Sequence, residues 1–246
     1  MSLQRVVRAL IGAIAVAATI GVAHPAVAGT SDDSPTTGPC GYAPLADQTY
    51  STWVGLPNDP AHTPANGTRK VVLKTNQGDI PLVLQPGLAP CTVQSFLFLT
   101  HQRYFDNTIC HRLTAYHTPP AALSVLQCGD PLGTGWGDPG YGFGDELGAA
   151  QALAPWPGFP DRRNYHRGLL AMANAGPDTN GSQFFLVYGD SRLRPDYTVF
   201  GYVTGAGLAV LDKIAAGGID PGTDGTAEDG APAIGVTINR AKPGGR

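Results

Sequence analysis

The chain has 246 residues, 42% of them hydrophobic and 14% charged, with a formal net charge of −3. That length holds one large or two small domains, and one is favoured once both ends are set aside. The acidic balance carries no cluster of Lys and Arg, which excludes a nucleic-acid partner.

In chain order, residues 1–28 read first as a secretory signal. Arg5 and Arg8 form a basic start, Ala9 to Ala23 is an uncharged Ala-rich core, and Ala26-Val27-Ala28 is a small-x-small cleavage site. A membrane anchor would need about 20 apolar residues; here His24 and Pro25 interrupt sooner. Cleavage removes two Arg and no acid, so the net charge falls from −3 to −5, and it places the mature chain outside the cell or in its envelope. Gly38-Pro39 ahead of Cys40 is no Leu-x-small lipobox. Residues 29–68, rich in Pro, Thr and Ser, read as a linker or loosely packed extension, with Tyr42, Tyr50 and Trp53 available to dock it.

From Arg69 onward, short β-rich runs alternate with turn signals. Val71 to Thr75 and Ile80 to Leu84 flank Asn76-Gln77-Gly78-Asp79 as a hairpin. Pro90 opens a helix that ends near Arg103, with Val93, Phe96, Leu97 and Thr100 on one face. Further strands are expected at Thr108 to Leu113, Leu123 to Gln127, Leu169 to Met172, Phe184 to Val187, Val199 to Val203 and Ile234 to Asn239. A second helix fits Gly207 to Ala215 on the stripe Leu208, Leu211 and Ile214. Eight short strands and two helices make an antiparallel barrel or a sandwich, which periodicity does not separate.

Cys40, Cys91, Cys110 and Cys128 lie beyond the cleavage site, an even number that suggests two disulfides in one of three connectivities. Cys110 and Cys128 flank the expected hairpin; if they pair across it, Cys40 reaches back to Cys91. Their spacings of 51, 19 and 18 contain no Cys-x2-Cys pair, and the histidines lack a His-x3-His spacing, so no metal is expected. His111 reads as a hydrogen-bonded strand residue. Asp220 to Asp229 is acidic and Gly-rich without the alternating ligands of a calcium loop, and reads as solvated loop. Gly133 to Gly144 follows no phosphate-binding fingerprint.

The most informative stretch is Ala171-Met172-Ala173-Asn174-Ala175-Gly176-Pro177-Asp178-Thr179-Asn180-Gly181-Ser182-Gln183-Phe184-Phe185. A small-residue strand, a turn of Gly, Pro, Asp and Asn, and a strand beginning in two aromatics present bare main chain beside an apolar wall. The run closely resembles the signature of the cyclophilins, a family of peptidyl-prolyl cis-trans isomerases. Tyr104-Phe105-Asp106-Asn107-Thr108, His111-Arg112-Leu113, Gln127-Cys128-Gly129-Asp130 and Asp196-Tyr197-Thr198-Val199-Phe200-Gly201 agree in the same order. Together they make residues 69–241 the domain and 242–246 a tail.

The resemblance implies a mainly β fold, a closed eight-stranded antiparallel barrel capped by two α-helices, with the ligand groove outside the packed barrel. It implies isomerisation of Xaa-Pro bonds in folding proteins, with no cofactor, by what is expected to be a monomer. Arg112 falls at the catalytic arginine, Gln183 at the glutamine that orients substrate and arginine, and Gln127 at a second glutamine beside it. Asn174 falls where backbone groups pair with substrate, with Ala173 and Ala175 leaving room. Phe185, Leu193 and Tyr197 fall on the proline pocket, and Gly133 to Gly144 on the loop bordering the groove. The chain departs from the pattern in three places. The Leu113–Leu126 connection is longer than usual, Arg192 stands where many relatives carry tryptophan, and Ser124 and Val125 replace a pocket Phe and Met. Losing that Phe predicts a proline grip weakened about ten- to a hundredfold. Tyr116 is the ring that could replace it. The alternative is a proline-binding holdase or adaptor with little turnover.

Overall fold

The computed structural model describes residues 38–116, 122–220, 222 and 228–244. The expected signal peptide, the start of the extension, the middle of the long connection and the end of the tail lie outside those residues.

Strand β1 (Ala43–Pro44) precedes the hairpin of β2 (Arg69–Thr75) and β3 (Gly78–Leu84), then helix α1 (Pro90–His101). Strand β4 (Thr108–Ile109) leads into the hairpin of β5 (Arg112–Tyr116) and β6 (Leu123–Cys128), then β7 (Tyr141–Gly142) and the single-turn helix α2 (Gly148–Gln151). Strands β8 (Pro155–Trp156), β9 (Phe159–Tyr165), β10 (Leu169–Met172), β11 (Phe184–Gly189), β12 (Ser191–Leu193) and β13 (Val199–Val203) follow. Helix α3 (Gly205–Ala216), β14 (Ile219–Asp220), β15 (Asp229–Pro232) and β16 (Thr237–Pro243) complete the order.

The main sheet is mainly antiparallel, with eleven strands in the order β14-β15-β5-β6-β11-β10-β13-β3-β2-β16-β4. The closed eight-stranded barrel with two helices is therefore corrected, among the described residues, to an open, curled sheet with three helices. The reason is local. The single strand expected over Thr108 to Leu113 breaks at Cys110 and His111, so its halves sit near opposite ends of the ladder although two residues join them. Cys110 gives its N–H to Val236 O at 2.9 Å and its sulfur to Cys128. The two ends of the acidic stretch, Asp220 and Asp229, belong to the two extra strands β14 and β15, and residues 221 and 223–227 between them lie outside the described residues. The last strand begins at Thr237 rather than Ile234 because Val236 makes that bond outside the ladder.

Strand alternation divides the apolar residues between two sides. Phe184 joins Phe96, Phe105 and Phe200 in the interior, with ring centroids 5.2 Å (Phe96) and 5.6 Å (Phe105) from it. Its neighbour Phe185 faces the other way, into a smaller cluster with Val125, Tyr165 and Val199. Each such buried ring or branched side chain contributes about 1.5–3 kcal/mol. One dipeptide thus supplies both the core and a wall of the outer groove.

Helix α1 starts with Pro90 at its first turn and has no side-chain cap from Ala89. Its exposed donors are met from a distance: Glu146 accepts the N–H groups of Cys91 (3.1 Å) and Thr92 (2.8 Å) and the Thr92 hydroxyl (2.7 Å). Disulfides join Cys40 to Cys91 and Cys110 to Cys128, one of the three connectivities left open by spacing. The first fastens residues 38–68 to α1. Tyr42 donates to Cys91 O at 2.6 Å and sets its ring edge-on against Tyr141 and Phe143, while β1 pairs with β7.

Candidate active site

The register of four adjacent strands builds the site. Arg112 on β5 lies opposite Gln127 on β6, Gln127 opposite Phe185 on β11, and Phe185 opposite Ala171 on β10. Arg112 Nη1 donates to Gln127 Oε1 at 3.3 Å, and Gln127 Nε2 donates to Gln183 Oε1 at 2.8 Å. Gln183 Nε2 in turn donates to the carbonyls of Gly135 (2.9 Å) and Gly137 (3.0 Å) on the glycine-rich loop. This relay leaves each amide a single orientation, with its oxygen toward the arginine side.

Beside the relay lies a cavity of about 160 Å³, lined by Arg112, Gln127, Leu123, Val125, Phe185, Leu193, Tyr197, Ala173 and Asn174. Phe185 and Tyr197 meet edge to face at 5.7 Å, and the Tyr165 hydroxyl donates to Tyr197 O at 3.0 Å from behind. One wall is therefore aromatic and braced, with a guanidinium at its rim. Asn174 is anchored by its side chain, whose Nδ2 donates to Asp196 O at 2.7 Å. Ala175 borders a neighbouring cavity instead.

Two sequence expectations change here. Ser124 does not line the cavity; it is 3% exposed, its N–H donates to Ser191 Oγ, and it sits beside Gly189 at a register shift of β11. Leu123, Val125 and Gln127 share the groove face of β6, while Leu126 and Cys128 enter the main core. Counting from Gln127 assigned Ser124 to the pocket, but the alternation from the same residue removes it. Tyr116 does not replace the missing ring. It points to the adjoining cavity, with its hydroxyl 3.4 Å from Asp229 Oδ2.

The family model for cyclophilin type peptidyl-prolyl cis-trans isomerase/CLD matches residues 70–242. The chain belongs to the cyclophilin family. It is 49% identical over 204 residues to a probable peptidyl-prolyl cis-trans isomerase B of Mycobacterium leprae, covering 81% of this chain and 64% of that protein. It is 51% identical over 183 residues to a protein of the same description from Mycobacterium tuberculosis, covering 74% of this chain and 55% of that one. The chain thus spans less than two thirds of the length of these relatives. A cyclophilin type isomerase of Cryptosporidium parvum, a crystal structure, superposes with a TM-score of 0.54 at 28% identity, covering 73% of this chain and 99% of that one.

Within this cyclophilin, the residue that sequence reasoning missed is Asp229. Arg112 donates from Nε and from Nη2 to its two carboxylate oxygens, each at 2.7 Å, a bidentate pair. That bond, followed against it by burial, holds the guanidinium pKa above its ordinary value. The two residues lie 117 positions apart, and only the pairing of β15 with β5 brings them together. His111 also departs from expectation. It sits in the break between β4 and β5, its ring nitrogens have no hydrogen-bond partner among the described residues, and burial lowers its pKa.

The glycine-rich loop that orients Gln183 is itself held by Asp130, which accepts N–H groups from Leu132 (2.7 Å), Thr134 (2.7 Å) and Gly135 (2.5 Å). Burial alone would raise the Asp130 pKa, but these bonds prevail and lower it. Its stabilising contribution is therefore complete above the unfolded value of about 3.9 and is lost as pH falls through the folded one. A Cβ at Gly137 would stand 1.8 Å from Asp130 Oδ1. Gly137→Ala is expected to lower stability by about 1–3 kcal/mol in denaturant unfolding, and to weaken activity with it because the loop carbonyls move.

Proposed function

We propose that this chain accelerates cis-trans isomerisation of Xaa-Pro bonds in proteins folding outside the cytoplasmic membrane. The observation that carries the reading is Arg112, fixed at the rim of a ring-sized cavity with an apolar wall and linked through Gln127 to Gln183. Rotation about an Xaa-Pro bond breaks amide resonance, a barrier of about 18–20 kcal/mol. As the bond twists, the imide nitrogen regains its lone pair and accepts hydrogen bonds better. A guanidinium aimed there favours the twisted state over both planar forms, which is what lowers the barrier. Phe185, Val125, Leu193 and Tyr197 grip the ring and the main chain at Asn174 meets the peptide backbone, while Gln183, whose two N–H donors are taken by Gly135 and Gly137, positions Gln127 and through it Arg112.

Two disulfides suit an oxidising compartment, in keeping with export after cleavage behind Ala28. Among the described residues no helix is long and apolar enough to cross a membrane. The holdase reading rested on Ser124 and on the long Leu113–Leu126 connection; Ser124 does not line the cavity, and residues 117–121 of that connection lie outside the described residues. The test is nuclear magnetic exchange on a short Ala-Pro peptide with the protein at micromolar concentration. Acceleration well above the uncatalysed rate of tens of seconds is expected. Binding without acceleration would instead make the protein a holdase, and neither would sink both readings.

A further inference from the structure

The groove does not end at the proline cavity. A second cavity of about 330 Å³ shares Gln127, Ala173 and Asn174 with it, and a third of about 370 Å³ shares Leu123, Leu193 and Tyr197. The outer two share no lining residue with each other, so the proline cavity connects them. An extended peptide rises about 3.3 Å per residue, so one flank of a bound Xaa-Pro unit passes over each outer cavity within one or two residues.

The third cavity is lined by three arginines, Arg162, Arg192 and Arg194, and by one carboxylate, that of Asp196. Its position in the fold explains the arginines' orientation: β12 pairs with β9, setting Arg192 opposite Asn164 and Leu193 opposite Arg163. The Arg192 guanidinium lies 4.0 Å over the ring of Phe159, which holds it along the wall. Arg162 Nη1 is buried. It stands 3.0 Å from Asp161 Oδ2 as an ion pair, but in a geometry that gives it no hydrogen bond. Among the described residues, neither Arg192 nor Arg194 forms an ion pair. In a chain whose net charge is −3, an arginine excess beside the substrate groove is a local exception.

Resting on the isomerase reading, we propose that this third cavity is an acidic-residue subsite: the protein prefers Xaa-Pro segments carrying Asp or Glu on the flank that crosses it. The cavity's continuity with the proline pocket favours a substrate side chain over a free anion. Its walls of Leu123, Leu193 and Tyr197 accommodate the aliphatic stem, and the guanidinium groups receive the carboxylate.

The test compares peptides that differ only in having Asp, Ala or Lys within two residues before the proline, or within two residues after it. Exchange rates are measured by nuclear magnetic resonance, so that no coupling protease imposes its own preference. On one flank alone, kcat/KM for the Asp peptide is expected to exceed that for the Lys peptide about three- to fivefold, and high salt should reduce the ratio. Arg194→Ala should bring the ratio toward one and Arg194→Glu should reverse it; unfolding curves for both variants establish that they are folded. Equal rates for all three side chains on both flanks, or a preference that survives both substitutions, would overturn the subsite. The Ala peptide reports separately on the isomerase reading: if the unmodified protein does not accelerate it, that reading fails first.

Discussion

Arg112→Ala is expected to lower kcat/KM on an Xaa-Pro peptide by about 10²–10³, the range for removing one preorganised donor from a developing charge. Peptide affinity should change far less, because Val125, Phe185, Leu193 and Tyr197 make the apolar cavity without the guanidinium. The loss should therefore fall mainly in kcat, the mark of an interaction made in the twisted state rather than in the ground state. Arg112→Lys is expected to recover only part of it. A lysine ammonium keeps the charge but not the fork that meets Asp229 from two nitrogens and Gln127 from a third. The raised pKa of Arg112 adds a check: its charge persists through neutral and alkaline pH, so the wild-type rate should show no basic limb from this group. An alanine variant that matches wild type on the same peptide would remove Arg112 from the mechanism.

What was legible in the sequence and what was not follows the range of each interaction. The Ala171–Phe185 run carries its meaning locally: two short strands, a turn and a pair of aromatics with opposite destinations. Strands Leu169–Met172 and Val199–Val203 appear with the bounds that their β-branched and small residues suggest. The errors lie where tertiary contacts override local pattern. Thr108 to Leu113 is one run in sequence with no Gly or Pro to interrupt it, yet it breaks at Cys110 and His111, where Cys110 is bridged to Cys128 and bonded to Val236. The extension looks loose by composition, but from Gly38 onward one disulfide and the Tyr42 ring seat it on the body. Ser124 differs again: its place in the motif counts toward the pocket, but the period of the strand that carries it turns it away. Asp229 had no local signal at all. An aspartate in an acidic, Gly-rich stretch resembles solvated loop, and only a strand pairing across more than a hundred residues gives it a partner.

That partner makes Asp229→Ala the second variant with a large expected effect. A guanidinium has five N–H donors; two engage Asp229 and one reaches Gln127, which leaves two for the substrate. Without the carboxylate, Arg112 keeps only the 3.3 Å bond from Nη1 to Gln127, and a long flexible side chain regains its rotamers. Displacing a catalytic group by about an ångström can cost on the order of a hundredfold, so kcat is expected to fall about ten- to a hundredfold with KM little changed. Asp229→Asn, retaining one acceptor oxygen, should lie between. Stability should barely respond, since the side chains are 38% and 26% exposed and such pairs are worth about 1 kcal/mol or less. The opposite outcome is equally readable. A carboxylate that merely neutralises the guanidinium would depress catalysis, and its removal would then raise kcat. Steady-state rates on one peptide, with unfolding curves alongside, decide between a positioning residue and a mask. The geometry favours positioning, because the pair occupies the Nε side of the fork and leaves donors on both terminal nitrogens for the twisting bond.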